Sequence, residues 1–459
     1  MSKAAFTFAC LDRGAPADER ARTLAAFPAG RPRALIHRAP LCLDTQTEIL
    51  TDNGWVGVDV ITPAHRVANW DDGLIFFAEP KEIVRRARQP SERMVCVDGH
   101  RSEHDIRVTE SHRMVYRGRS TTWGKRGAYE LVGRSGIALP ANGVAAPLDV
   151  DPQPPPALSD THQRTLTSKL ADQGRRSGCA RNGSFREARR CLAHRRGLRY
   201  PRPSELSLDE CRLVGFSLGD CPQLQRGESD PALTQAKAHP AIVAWLDALL
   251  DRLDLSSAQQ GPADGRAPRA LWSLSRATRF GLPARRGVFH LESYMLAIGS
   301  RLLWGLDVDQ FAAFLEGWSL ADGNHRPGTP LPAACSVTST GHDLLSLVQA
   351  IAAARGFQTS LRPHGPDRRQ VWRLSFSRGA ELWLEGDGVR YDDGWCDEEV
   401  WCVRTHSRNI VTRRNGTVVV VGNTEGWDES TVGPNVDRGP GAPRTPDPTA
   451  PSSARSRRR

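Results

Sequence analysis

From Asn409 to Asn423 the sequence reads N-I-V-T-R-R-N-G-T-V-V-V-V-G-N. Branched residues flanking Asn415-Gly416 are the pattern of a β-hairpin, because Asn-Gly accepts the left-handed backbone of a two-residue turn. Asn409–Thr412 and Thr417–Val421 are the two strands this reading predicts. Similar short runs fill residues 42 to 120, at Glu48–Thr51, Arg66–Trp70, Leu74–Ala78 and Met94–Val97, with turn signals at Asn53-Gly54, Asp72-Gly73 and Asp98-Gly99. Strands at both ends and a different pattern between them imply one all-β unit built from its two ends.

The middle, about 207 to 395, mixes helical periodicity with strand-like pieces, an α+β pattern. A connector with prolines at 152 and 154–156 precedes it, and such a run favours an extended, semi-rigid chain. Between Asp160 and Leu206 there are twelve Lys and Arg against four Asp and Glu, which accounts for most of the net charge of +10. That points to a polyanion, nucleic acid first. After Glu429 the chain is Pro-rich, poor in large apolar residues and basic at its end, so disorder is expected there. Ten cysteines without a C-x-x-C pair argue against a zinc ribbon or a disulfide scaffold. No apolar run is long enough for a membrane span, and Met1–Cys10 lacks a signal-peptide core, so the expectation is a cytoplasmic monomer with no membrane partner.

Three features belong together: Cys42 opening C-L-D-T-Q-T-E-I-L-T, V-T-E-S-H-R-M-V at Val108–Val115, and V-V-V-V-G-N ending at Asn423 before Thr424. In this order they resemble an intein, over roughly 42 to 120 and 398 to 423. The resemblance implies a horseshoe-like all-β splicing domain of the Hint type that needs no cofactor. Chemistry supports it independently, since breaking a peptide bond without water or energy input calls for an acyl shift by a thiol on the carbonyl before its own nitrogen. Cys42 is that thiol, attacking Leu41. Thr109 and His112 are suited to protonating the scissile nitrogen and holding the oxyanion. The family then implies attack by Thr424 on the thioester, cyclisation of Asn423 onto its own carbonyl, and a Leu41–Thr424 bond. Two places depart from the family, Gly422 and Arg408, each standing where it usually has histidine; His406 is a candidate substitute. Cys402 stands where the family often has Asp. One intein subtype uses a cysteine there as first nucleophile, but beside Cys42 a supporting proton-transfer role is preferred.

L-V-G-F-S-L-G-D-C at Leu213–Cys221 and L-E-G-W-S-L-A-D-G at Leu315–Gly323 resemble the LAGLIDADG motifs of homing endonucleases. Each closes a helix with a start signal, Ser207 to Glu210 and Asp307 to Gln310. Small residues four apart, Gly215/Gly219 and Gly317/Ala321, would let the two backbones pack closely. The resemblance implies two αββαββ halves, with Asp220 and Asp322 as catalytic and metal-binding acids, Mg²⁺ as cofactor of the endonuclease, and double-stranded DNA, the intein-free host allele, as partner. Cys221 replaces the usual Gly after the first acid. Arg362, Arg368, Arg369 and Arg373 are candidate DNA contacts, a solvated strand face being equally open.

Joined, residues 1–41 and 424–459 resemble part of a superfamily 2 helicase around T-E-G-W-D, without a Walker loop. The expected order is therefore 1–41 N-extein, 42–150 first part of the splicing domain, 151–206 linker or DNA-contact segment, 207–395 endonuclease, 396–423 second part of the splicing domain and 424–459 C-extein. The competing readings are a non-catalytic basic DNA-binding protein and a splicing-inactive relic.

Overall fold

The computed structural model describes residues 7–10, 33–36, 42–89, 92–97, 106–118, 122–148, 205–220, 232–236, 239–254, 269–273, 302–328, 335–365, 371–379, 381–384, 388–392 and 399–423. The chain divides into two compact units, Met1–Thr424 and Glu425–Arg459, and every described residue belongs to the first. Leu41, Asp98-Gly99, the proline connector, nearly all of the basic segment, Cys221, Cys396, Thr424 and the tail lie outside the described residues. The architecture is mixed α/β, mostly sheet with few helices.

The hairpin forms as Asn409–Arg414 and Thr417–Gly422, with Asn415 at φ 44° and Gly416 at φ 73°, the left-handed pair that a type I′ turn requires. Its four valines face two different cores. Val418 and Val420 join a cluster with Phe314, Trp318 and Leu345, whereas Val419 and Val421 join Leu43, Val95 and Trp401. A strand covered on both faces reads as an unbroken apolar run rather than an alternation. The first strand outruns its expected end at Thr412, because Arg413 and Arg414 are buried with partners. Arg414 pairs with Asp44 at 2.7 Å, and Arg413 with Glu48 at 2.7 Å. Pairing is what makes a buried guanidinium tolerable in a strand.

Distant strands close the unit. Leu43–Asp44 lies between Ile106–Thr109 and Glu399–Arg404 in a six-stranded sheet; Glu48–Thr51 pairs with Asn409–Arg414 in a ten-stranded one. Two strands near the C-terminal end of the middle segment also join these N-terminal strands: Glu381–Leu384 pairs with Ile137–Pro140, and Val389–Asp392 with Met94–Val97.

Four helices matter here: α1 (Leu208–Asp220), α2 (Pro240–Arg252), α3 (Val308–Asp322) and α4 (His342–Ala353). Both expected start signals are present. Ser207 and Glu210 exchange bonds of 2.7 and 3.2 Å, and Asp307 and Gln310 exchange bonds of 2.8 and 3.0 Å. Helices α1 and α3 cross at their glycines. A Cβ on Gly215 would run into the Phe314 carbonyl, and one on Gly317 into the Arg212 carbonyl, so the same offset relates both contacts and the pair is locally two-fold. After α3 the described elements run Cys335–Ser339, α4, Gln358–His364 and Val371–Ser377, with one strand before α4. Asn324–Gly328 is not strand, and Pro327 within it offers no N–H to a ladder.

These strands are continuous with the hairpin sheet. Ser360 pairs with Thr417, Leu361 N donates to Gly416 O at 2.9 Å, and Gln349 Nε2 donates to the same oxygen at 2.7 Å. Arg362, a sequence candidate for DNA contact, instead donates to Asn415 O and, at 2.8 Å, to Thr417 Oγ1. Its guanidinium is committed to holding the turn. Buried Arg355 adds a further tie, donating to the carbonyls of Leu306, Ala145 and Trp304.

Candidate functional site

Cys42 is buried at the start of its strand, and its peptide is held by Thr109 on both sides. Cys42 N donates to Thr109 Oγ1 at 3.0 Å, and Thr109 N donates to Cys42 O at 2.9 Å. The register Val400↔Asp44 and Trp401↔Leu43 carries on to set Cys402 opposite Cys42, the closest relation two strands allow. Burial pushes the Cys42 thiol up to about 12; Cys402 adds to the rise, and Arg86 pulls against it. At neutral pH this sulfur is a thiol, so its proton must leave in step with any attack.

Arg86 was not legible as a site residue. It sits in Glu82–Ala87, donates to Glu92 at 2.6 and 3.0 Å, and bears on the Cys42 thiol. In V-R-R-A-R it reads as an ordinary basic strand residue, and no local pattern marks it.

His112 is fully buried, its N–H donating to Thr109 O at 2.8 Å. Burial pushes its pKa down to about 4, against smaller upward pulls from the backbones of Gly422 and Cys42. One neutral imidazole thus stands beside both ends of the 42–423 segment. The structure also explains why glycine precedes Asn423: a Cβ on Gly422 would lie 2.5 Å from Arg113 O and 2.9 Å from Arg113 Cβ. Arg113, the first residue of the strand Arg113–Tyr116, occupies the space a side chain at 422 needs.

A histidine titrating near 6.5 when unfolded and near 4 when folded binds its proton more readily in the unfolded chain. Stability therefore falls as pH drops through that window, by roughly 3 kcal/mol in all, and is unaffected above it. Urea unfolding of the chain and of His112→Gln checks this, with a steeper acid loss expected for the unsubstituted protein. Equal losses would assign the window to other groups.

Asn423 is buried, and its carboxamide is oriented. Nδ2 donates to Val403 O at 2.8 Å and to Thr405 Oγ1 at 2.7 Å, while its backbone N donates to Arg408 O at 3.0 Å. His406, the sequence candidate for assisting here, is exposed, and its backbone N–H donates to Asn69 Oδ1 at 2.7 Å. Thr405, one residue earlier, is the buried neighbour. A threonine carries no family signal at that place, so the sequence did not single it out. Cys42, Thr109, His112, Cys402 and Asn423 thus share one buried neighbourhood.

The second constellation lies at the ends of α1 and α3, whose last residues are Asp220 and Asp322. A Cβ on Gly219 would lie 3.0 Å from Asp322 Cγ, so that carboxyl packs against the residue next to Asp220. The Asp322 carboxylate at the C-terminus of α3 adds to the negative end of that helix, and a carboxylate oxygen is the hard donor type that Mg²⁺ takes. Among the described residues no group of three or more His, Cys, Asp or Glu surrounds a metal position. At Gly323 a Cβ would be 2.6 Å from Ser319 O, the crowding that makes cysteine at the equivalent Cys221 notable.

No family model and no curated protein matches the sequence. Solved structures similar to it include the homing endonuclease I-DmoI in complex with DNA and Mn, at 18% identity over 37% of this chain and 89% of that one, TM-score 0.25. The N-terminal LAGLIDADG domain of WhiA is similar at 12% identity over 40% and 80%, TM-score 0.24. A class 3 split intein, AceL NrdHF, is similar at 18% identity over 22% of this chain and 63% of that one, less than two thirds of its length, TM-score 0.19. Among the described residues no helix is long and apolar enough to cross a membrane.

Proposed function

We propose that the chain is a self-splicing intein, Cys42–Asn423, carrying a LAGLIDADG homing endonuclease in its middle. The observation that supports the reading is that both ends of that segment lie against residues 109–113: Cys42 exchanges hydrogen bonds of 3.0 and 2.9 Å with Thr109, and a Cβ on Gly422 would lie 2.5 Å from Arg113 O.

Splicing begins with the Cys42 sulfur attacking the Leu41 carbonyl. The S–C bond forms, the C–N bond breaks, the thiol proton leaves and the Cys42 nitrogen gains one. His112, neutral at rest, takes up the thiol proton and passes it to that nitrogen, and its low pKa favours the release. Thr109 holds the peptide so that attack is geometrically directed. Arg86 favours the sulfur as it turns anionic, and Cys402 takes part in moving its proton. The Thr424 hydroxyl then takes the acyl group, and Asn423 Nδ2 closes on its own carbonyl carbon to release the segment. The step needs no cofactor. The joined flanks are the host sequence, helicase-like by T-E-G-W-D; their Thr7–Cys10 and Arg33–Ile36 strands pair in parallel.

In the endonuclease, Asp220 and Asp322 would hold Mg²⁺, which supplies activation of water and stabilisation of the leaving oxygen. The close backbone approach of α1 and α3 supports this reading, and the basic 160–206 segment contributes phosphate contacts on double-stranded DNA. Asp322→Asn is expected to abolish cleavage of a plasmid bearing the joined Leu41/Thr424 coding sequence, with ligation of the flanks unchanged on a gel. Retained cleavage would remove Asp322 from the site. Cys42→Ala and Asn423→Ala test splicing itself.

A further inference from the structure

Inteins generally place a histidine before the terminal asparagine, and this chain has Gly422 with no room for a side chain there. Resting on the splicing reading, we propose that Thr405 is the positioning residue for Asn423 cyclisation, holding the carboxamide nitrogen through its hydroxyl.

The hydrogen bonding assigns each proton. Thr405 Oγ1 donates to Asn409 O at 3.1 Å, which leaves its lone pairs toward Asn423 Nδ2 at 2.7 Å. The other Nδ2 proton goes to Val403 O at 2.8 Å. With both protons held by acceptors, the carboxamide plane is fixed and the nitrogen gains electron density for attack. Thr405, Asn409 and Asn423 are all buried, so water does not compete for these bonds. Asn423 Oδ1 has no hydrogen-bond partner among the described residues, so the two Nδ2 bonds alone set the orientation of the carboxamide.

The loop carrying Thr405 is itself anchored. Asn69 Oδ1 accepts from His406 N at 2.7 Å and from Ser407 N at 3.1 Å, and Asn409 Nδ2 donates to Trp70 O at 3.0 Å. In the cyclisation the Nδ2–C bond forms and the bond from that carbon to the Thr424 nitrogen breaks. Nδ2 loses one proton, and the departing amine gains one. Thr405 changes no bond of its own; it sets the angle of attack.

The test uses the full chain as Thr405→Val, nearly isosteric, and Thr405→Ser, which keeps the hydroxyl. Dithiothreitol releases the N-terminal fragment through the thioester, and intact mass reads that release and the Asn423-dependent release in the same sample. Thr405→Val is expected to slow C-terminal release about 10- to 100-fold, the cost of a misplaced reacting group, with dithiothreitol release at its normal rate; Thr405→Ser is expected to restore release. C-terminal release at the unsubstituted rate in Thr405→Val overturns the proposal, as does equal loss at both junctions that serine does not rescue. Absence of release at either junction in the unsubstituted chain overturns the splicing reading itself.

Discussion

Cys42→Ala will give no joined Leu41–Thr424 product and no thiol-released N-terminal fragment, while the Asn423 junction keeps its own slower release. In the proposed sequence the Cys42 sulfur forms the first covalent bond, so on its removal ligation is expected to fall more than about 10³-fold. Folding is not the reason, because a buried Cys-to-Ala change removes one small atom from a well-packed strand. Mass spectrometry of the variant reads the result directly. Persistent ligated product would transfer the first attack to Cys402, which faces Cys42 across the ladder.

The second large effect is structural. In Gly317→Val three carbons must enter the space between two helix backbones where a Cβ alone already meets the Arg212 carbonyl. The helices must separate, which parts Phe216 from α3 and opens the buried cluster around Phe314 and Trp318. We expect more than about 4 kcal/mol of destabilisation, the range reserved for core overpacking without an exit. Urea unfolding measures it. Gly57→Ala is the control, since nothing lies within 4 Å of a Cβ there, and it should change stability by less than about 0.5 kcal/mol. Equal stability of Gly317→Val and the unsubstituted chain would mean that the helices do not meet backbone to backbone.

What could be read from the sequence was what local chemistry dictates. Asn415-Gly416 specifies its turn by backbone preference alone, and the strands Glu48–Thr51, Leu74–Ala78 and Met94–Val97 fall at their expected residues because turn signals bound them. Ser207 with Glu210 and Asp307 with Gln310 likewise act over three residues, so their helix starts were legible. The twin glycines announced a close helix pair because no larger residue permits one.

Non-local features left no such mark. Arg413 and Arg414 read as turn flanks, since the carboxylates that make them strand residues, Glu48 and Asp44, lie at the other end of the chain. The seating of the hairpin on Gln349, Leu361 and Arg362 depends on tertiary contacts that periodicity cannot express. At the candidate site, Cys42, Thr109, His112 and Asn423 were singled out through the family pattern. Arg86 and Thr405 were missed, because an arginine in a basic strand and a threonine in a loop gain meaning only from what faces them.

The most direct test of the central claim is intact mass spectrometry of the freshly expressed chain beside its Cys42→Ala, Asn423→Ala double variant. The account predicts an excised Cys42–Asn423 piece and a joined peptide of the two flanks from the unsubstituted chain, and one uncut mass from the double variant. A single uncut mass from both would contradict it and leave a DNA-binding protein whose two ends meet without reacting.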